Sequence, residues 1–390
     1  MTATAVHPDA TVGSTADVSD AVREAIGTRR PLRIVGGGTW LDAGRPVRSD
    51  ARALGLRELS GIVDYTPGDL TLTARAGTTL ADIDAATKAH GQWLALDPPG
   101  APGATVGATI ATASAGPLSH AFGLARDGIL GVEAVTGEGG IVRGGGRVVK
   151  NVAGFDMTRL LTGAWGTLGI LTEVTVRLRA RPETDETVAV AIAPKAGALA
   201  AMLCNPPVDM GSAVAVELVN AALAQRLGIA SDGPVLLVRL MGNAELVGTD
   251  RAALFGAGGI GGPDGIWERL RTTEPAGAAV FRLSGPRARI SDTWARVASL
   301  LAGLPRALIH ASVGRGVVRC IVPDPDPVAL SAGVLHQPTA GTLVAERLPV
   351  SLWGSAGRGT GRDRLSRGVR RAFDPHGLFN PGIFGEGDGG

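Results

Sequence analysis

The 390-residue sequence predicts an α+β protein in which two small α/β units hold an extended ligand and a second, cap-like α+β domain carries an antiparallel sheet. Three observations predict it. Loops of small residues at 35–40, 98–111 and 163–170 each adjoin a strand in the first half of the chain. The stretch from Gly144 to Leu178 reads as a glycine-rich approach, a polar turn at Lys150 and Asn151, a short helix capped by Asp156, then glycines feeding a strand. Beyond the polar segment 181–186, short apolar strands alternate with helices as far as about Pro349.

In chain order, Asp17 to Arg30 is an amphipathic helix with Val18, Ala21, Val22, Ala25 and Ile26 on one face, stopped by Pro31. Leu32 to Val35 is a buried strand that runs into Gly36, Gly37, Gly38 and Thr39. Such a turn can aim successive backbone N–H groups at an anion. It is a poor dinucleotide fingerprint, because Leu41 stands where G-x-G-x-x-G needs its third glycine. Residues 62–76 alternate as a hairpin about Pro67-Gly68-Asp69, and Thr78 or Thr79 caps a helix that runs to His90. Trp93 to Leu96 returns as a strand, and the stiff, small-residue loop 97–110 follows. Ile129 to Thr136 is a strand, and from Ile170 onward apolar residues alternate with Thr172, Glu173, Thr175 and Arg177. In the second half the strands include AVAVELV, VLLVRLMG, AVFRL, ALIHASV, VVRCIV and TLVAERL, with helices expected on one side of the sheet. The glycine-rich segment 256–265 reads as a loop.

Composition narrows the function. Charged residues at 19% and a net charge of +2 argue against a nucleic-acid partner. Two cysteines, Cys204 and Cys320, cannot ligate an iron–sulfur cluster or build a structural zinc site from this chain alone. No secretory signal and no apolar run of membrane-spanning length are visible. The expectation is a cytoplasmic protein, held at the inner face of a membrane, if at all, through partners. Lysine occurs only at positions 88, 150 and 195 against a background of arginine, which singles out Lys150 beside Asn151.

The order VGGGT (35–39), DPPG (97–100), TVGATIAT (105–112), RD (126–127), GGRVVKNVAGFD (145–156) and GTLGI (170 at its end), with FDPHGLFNPG (373–382) closing, resembles the PCMH-type FAD-binding domain of the vanillyl-alcohol oxidase superfamily. Within it, the chain is most similar to the FAD-binding E subunits of bacterial glycolate oxidases. It departs from the family pattern at Phe155 and Trp165. The resemblance implies a two-subdomain FAD-binding domain over residues 15–184, a cap domain over 185–349 and a returning segment over 350–384. Residues 1–14 and 385–390 are expected to be a flexible start and a disordered tail.

The resemblance also implies noncovalent FAD, its pyrophosphate on Gly36, Gly37, Gly38, Thr39 and Trp40 and on Gly103, Ala104, Thr105, Val106, Gly107 and Ala108. The backbone of Gly166, Thr167, Leu168, Gly169 and Ile170 is implied to line the cofactor. Val35, Pro99, Ile110, Ala111, Arg126, Lys150, Asn151 and Asn380 complete the candidate set. A bulky residue at Gly37 or Gly107 is expected to abolish FAD retention while the apoprotein stays in solution.

Catalytic residues are not evident, and no metal site is expected. Relatives that oxidise 2-hydroxy acids carry paired histidine motifs in the cap, whereas this chain offers His310 alone, which reads as a core histidine. The arginines from Arg358 to Arg371 read as a solvated helix face, or else as an electropositive face for an acidic partner subunit or for the phosphates of FAD. The implied function is the FAD subunit of a multi-subunit glycolate (2-hydroxy acid) oxidase or dehydrogenase. It would pass electrons beside a separate catalytic flavoprotein and an iron–sulfur subunit, without oxidising glycolate or lactate on its own. A structural FAD-containing subunit and a standalone FAD-dependent oxidase are the alternatives.

Overall fold

The computed structural model describes residues 8–146, 156–193, 197–204, 206, 209–304, 306–330, 342–356 and 363–385. These residues fall into two compact units. The first takes residues 8–115, 123–181 and 363–385, and the second takes 116–122 and 182–356.

The first unit opens on the helix Thr15–Thr28, whose start is set by a reciprocal cap. The Ser14 hydroxyl accepts from the Asp17 N–H while the Asp17 carboxylate accepts from the Ser14 N–H. Val18, Val22 and Ala25 face inward against Leu32 and Leu54. The strands of this unit are β1 (Ala10–Thr11), β2 (Leu32–Val35), β3 (Arg52–Gly55), β4 (Ile62–Thr66), β5 (Thr71–Arg75), β6 (Gln92–Trp93), β7 (Ile129–Val135), β8 (Ile141–Gly145), β9 (Ile170–Arg177) and β10 (Arg179–Ala180). Three make a parallel sheet in the order β1-β3-β2, and five make an antiparallel sheet in the order β4-β5-β9-β7-β8. Val135 and Ile170, from the second sheet, join the core of the first, so the two sheets share one apolar seam. The strand expected from Trp93 to Leu96 shrinks to Gln92–Trp93, which ladders only with β10; Pro98 and Pro99 follow closely and cannot donate to a ladder.

The end of the chain completes this unit. The Leu32 N–H donates to the Leu378 carbonyl, and the Asn380 N–H donates back to Leu32. Phe379 is fully buried beside Leu32. Residues 350–356, expected in that returning segment, belong instead to the second unit, because Leu352 and Trp353 are buried in its core.

The second unit is built on one eight-stranded sheet. Its strands are β11 (Thr184–Ala191), β12 (Ala213–Val219), β13 (Val235–Gly242), β14 (Ile260–Gly261), β15 (Ala279–Ser284), β16 (Leu308–Ser312), β17 (Val317–Val322) and β18 (Thr342–Arg347), ordered β14-β11-β13-β12-β16-β17-β15-β18. Every pairing is antiparallel. Helices cover both faces, not one. Trp294 and Val297 pack with Val216 and Phe281 on one side, while Leu223, Ile266 and Trp267 pack with Ala215 and Val280 on the other. This is why β12 is buried at every position. The glycine-rich segment 256–265 is not all loop, since Ile260–Gly261 adds an edge strand to β11. Residues 116–122, expected in the first domain, cluster here. The Arg315 guanidinium donates to Ser119 Oγ (2.6 Å), and a Cβ on Gly314 would stand 2.1 Å from His120 Nδ1.

A buried ion network crosses the far strands of this sheet. Glu274 accepts from Arg319 (2.6 Å) and Arg347 (3.2 Å), and Glu346 pairs with Arg319 and with Arg282 (2.8 Å). Burial pushes the Glu274 carboxyl up, but the two guanidiniums outweigh it and hold its pKa below the ordinary value. Beside them, burial pushes the Cys320 thiol up to about 12, so it stays protonated and inert.

Candidate functional site

Three loops of the first unit meet around a cleft that is partly open to solvent. Each loop has a local reason for its shape. β2 ends at Val35, whose side chain is buried, and the chain leaves through Gly36, Gly37 and Gly38, the last with φ +72°. Thr105 caps the short helix Val106–Thr112, its hydroxyl accepting from the Ala108 N–H at 3.3 Å. The third loop turns through Gly163, Trp165 and Gly166, all with positive φ, before β9 begins at Ile170.

The loops interlock tightly. A Cβ on Gly36 would lie 2.7 Å from Thr105 Oγ1, and one on Gly37 would lie 2.2 Å from the Gly103 carbonyl oxygen. A Cβ on Gly107 would meet Ala76 at 2.6 Å. These glycines therefore let protein approach protein. Bulk at Gly37 or Gly107 thus meets protein before any ligand is present, so its effect on FAD retention is expected to come with a cost to the fold.

Asn380 ties two of the loops together. Its Oδ1 accepts from the Ile34 N–H (2.9 Å) and its Nδ2 donates to the Trp165 carbonyl (2.7 Å). The Trp165 N–H in turn donates to Ala111 O at 2.8 Å. A non-glycine residue at φ +53° is thus pinned from both ends.

Of the residues expected at the cofactor, Gly36, Gly37, Gly38, Thr39, Trp40, Pro99, Ala104, Thr105, Gly107, Ala108, Ala111, Gly166, Gly169, Ile170 and Asn380 line the cleft. Val35, Val106 and Ile110 lie beneath it as core, and Thr167 is buried with its hydroxyl on Ala164 O. Leu168 packs on the core of the antiparallel sheet, and the Gly103 carbonyl accepts from Arg57. Arg126 is exposed beside Asp127 and is not part of the lining. Lys150 and Asn151 lie outside the described residues, as do Phe155, Arg358 and Arg362.

The cleft also contains residues that sequence reasoning missed, chiefly Arg33, Ile34 and Ile383, and Trp165, noted there only as a departure from the family pattern, is part of its lining. Arg33 left a signal, as the one charge in an otherwise apolar strand. Burial presses its pKa down against the pull of Asp42, and its Nη2 donates to Leu41 O at 2.6 Å. A half-buried cation in a cleft walled by small residues suits an anionic, flat-ended ligand. One buried polar atom in the lining is an orphan: Trp40 Nε1 has no hydrogen-bond partner among the described residues. These features fit FAD, whose diphosphate and ring nitrogens supply negative charge and acceptors; Arg33, Thr39, Trp40 and Thr105 would be the polar side chains toward it.

A second constellation lies on the sheet of the other unit. His310 on β16 does not stand alone, as the sequence suggested. Its Nδ1 lies 2.8 Å from Oε2 of Glu217 on β12, and Ser312 donates its hydroxyl to Glu217 Oε1. Glu217 is almost wholly buried, while the imidazole is partly accessible. Among the described residues, no group of three or more His, Cys, Asp or Glu side chains is placed to hold a metal ion.

Comparison with known proteins agrees with this geometry. Residues 9–145 match the family model described as FAD binding domain. Over 167 residues the chain is 42% identical to the glycolate oxidase subunit GlcE of Escherichia coli (strain K12), covering 43% of this chain and 47% of that one. It is 34% identical over 182 residues to the glycolate oxidase subunit GlcD of Bacillus subtilis (strain 168), covering 46% and 39%. The chain thus spans less than half the length of these relatives. Among solved structures, p-cresol methylhydroxylase with substrate bound superposes with a TM-score of 0.73 at 15% identity, covering 96% of this chain and 88% of that one. A 4-ethylphenol oxidase from Gulosibacter chungangensis gives 0.71 at 16% identity, with the same coverage. The first unit carries an FAD-binding domain, and its cofactor is FAD.

Proposed function

We propose that this chain, an FAD-binding protein related to glycolate oxidase subunits, is the FAD subunit of a multi-subunit 2-hydroxy acid oxidase or dehydrogenase. It works beside a separate catalytic flavoprotein and an iron–sulfur subunit. The observation that carries the reading is the three-loop cleft, whose first two loops, with Arg33 and the orphan Trp40 N–H, lie inside the span that matches the FAD family. FAD, held noncovalently, supplies a two-electron acceptor. The chain's own residues bind it, exclude water through the interlocked loops and fix its orientation.

The assignment of substrate oxidation to another subunit rests on chemistry. Removing hydride from a 2-hydroxy acid needs a carboxylate holder, a group that acidifies the hydroxyl and a base. The Glu217–His310 pair offers at most the last of these. That pair is also the observation favouring a second reading, a standalone oxidase, because a carboxylate-oriented imidazole is a serviceable proton acceptor.

Two measurements test the proposal. The purified chain should show oxidised-flavin absorbance that moves to the supernatant on acid precipitation. Affinity purification from its native host should bring down a second flavoprotein and an iron–sulfur protein. A colourless chain refutes the cofactor assignment, and a flavin-loaded chain that purifies alone and reduces rapidly with a 2-hydroxy acid favours the standalone oxidase.

A further inference from the structure

We propose that the helix Arg364–Phe373 is a docking face for a carboxylate-rich surface of a partner protein. Arg364, Arg367 and Arg371 pair with the partner's acids, and Leu365, Gly368 and Ala372 take its apolar contact. This rests on the multi-subunit reading of the chain and names the face that such an assembly uses.

The helix has two unlike sides. Val369 and Phe373 are half-buried. Beside them, Arg370 donates to the Phe379 carbonyl at 3.1 Å. The Asp374 carboxylate accepts from the Leu378 and Phe379 N–H groups, both at 2.9 Å. These contacts moor the helix to the closing segment, one residue short of Asn380. On the other side, Arg364, Arg367 and Arg371 recur at three- and four-residue intervals and therefore share a face. All three are exposed, and none pairs with a carboxylate among the described residues. Exposed arginines elsewhere have local partners, as Arg23 has Asp20, Arg48 has Asp50 and Arg251 has Glu186. Asp363, the nearest acid in sequence, is occupied as the helix cap, its carboxylate accepting from the Ser366 N–H at 3.0 Å. The unpaired charge on this one short helix exceeds the net +2 of the whole chain.

The chain itself gives no reason for two more residues on that side. Leu365 is 76% exposed. Gly368 sits in the helix interior, where glycine costs helix stability. Yet a Cβ there would meet nothing within 4 Å, and its φ is not in the left-handed region. Ala372, one turn further on, is exposed and extends the same small-residue track. A partner backbone lying close over Gly368 and Ala372 accounts for the glycine, and carboxylates beside it account for the unpaired guanidiniums. A bilayer suits the face less well. It would meet three guanidiniums and a single large apolar side chain, whereas interfacial helices present a broad apolar side. The phosphates of FAD are excluded, because none of these residues lines the cofactor cleft.

The test uses the full chain, tagged and purified from its native host with its copurifying flavoprotein and iron–sulfur subunits as the probe. Reversing all three charges (Arg364→Glu, Arg367→Glu and Arg371→Glu together) should cut the yield of those subunits by about tenfold or more, since like charges would then face each other. FAD content and melting temperature should stay at wild-type values. The triple lysine variant should retain the subunits, and rising salt should strip them from the wild-type complex. Gly368→Leu should melt no lower than wild type yet lose subunits. A photo-crosslinking residue at Leu365, in an otherwise unchanged chain, should join it to one of those subunits through a peptide rich in Asp and Glu; this arm holds even if the charge reversal folds poorly. Full subunit yield after charge reversal, or a crosslink only to a second copy of this chain, overturns the proposal while the multi-subunit reading stands. Binding to phosphatidylserine vesicles that charge reversal abolishes, with the subunits still attached, assigns the helix to a membrane and overturns the choice of partner. A wild-type chain that purifies alone overturns both readings.

Discussion

The carboxylate of Glu217 meets Nδ1 of His310 at 2.8 Å across the adjacent antiparallel strands β12 and β16. In the neutral ring this contact makes Nδ1 the protonated nitrogen and leaves Nε2 as the acceptor. The pair is thus a base without the other two groups that 2-hydroxy acid oxidation requires. Reconstituted with FAD and Mn²⁺ or Zn²⁺, the isolated chain should fail to bleach its flavin within seconds of adding D-lactate or glycolate anaerobically. Lacking metal-assisted deprotonation should cost several kcal/mol at the transition state, which is orders of magnitude in rate. Fast bleaching that disappears in His310→Ala would relocate the chemistry to this pair.

The buried Glu274 network gives a stability prediction. Glu274→Ala leaves Arg319 and Arg347 short of counter-charge in the interior, and should lower unfolding stability by about 3–5 kcal/mol in denaturant titration. Because the folded pKa of Glu274 lies below its unfolded value, this contribution is full above the unfolded pKa and is lost as pH falls through the folded one. The wild-type and variant curves should therefore converge in acid.

Glu173 behaves in the opposite sense. It sits directly opposite Glu133 across β9 and β7. Burial and then the Glu133 charge raise its pKa, with Arg75 and Arg143 offsetting part of the effect. A raised carboxyl stabilises the fold below its unfolded pKa and loses that contribution as pH rises through the folded one. Glu173→Gln should thus stabilise the protein at neutral pH, by roughly 0.5 kcal/mol for a like-charge cross-strand pair. The gain should vanish in acid, as thermal melts across pH will report.

Gly107→Val tests the interlocking of the loops. Overpacking against Ala76 should remove about 1–3 kcal/mol of stability, and FAD retention should fall together with the melting temperature. A variant that keeps its wild-type melting temperature yet loses FAD would show that Gly107 faces ligand alone.

Much of the fold was legible because its signals are local. The cap at Thr79, the alternation in β9 and the turn at Pro67–Asp69 all lie within a few residues of chain, whereas the reciprocal cap of Ser14 and Asp17 went unread. The three glycine loops showed where a cleft would form, but not that Gly37 and Gly107 serve loop-to-loop contact, which depends on what crosses opposite them. Glu217 was invisible as a partner of His310 because 93 residues separate them and only the β12–β16 pairing brings them together. Covering of the sheet on both faces was missed, although the mostly apolar β12 and β13, broken only by Glu217 and Arg239, lack the alternation of a strand with a solvent side.

The hydrogen bonds of Asn380 set a timetable for synthesis. Its side chain joins Ile34, 346 positions earlier, to Trp165, 215 positions earlier. Leu378 and Phe379 close the seam that Leu32 opens. A nascent chain can make both sheets of the first unit and the sheet of the second before the residues that latch the loops have emerged. Contacts so distant along the chain are slow to form. Capture of the flavin consequently waits on residues 378–380, and a chain cut before Leu378 should accumulate its sheets yet never turn yellow.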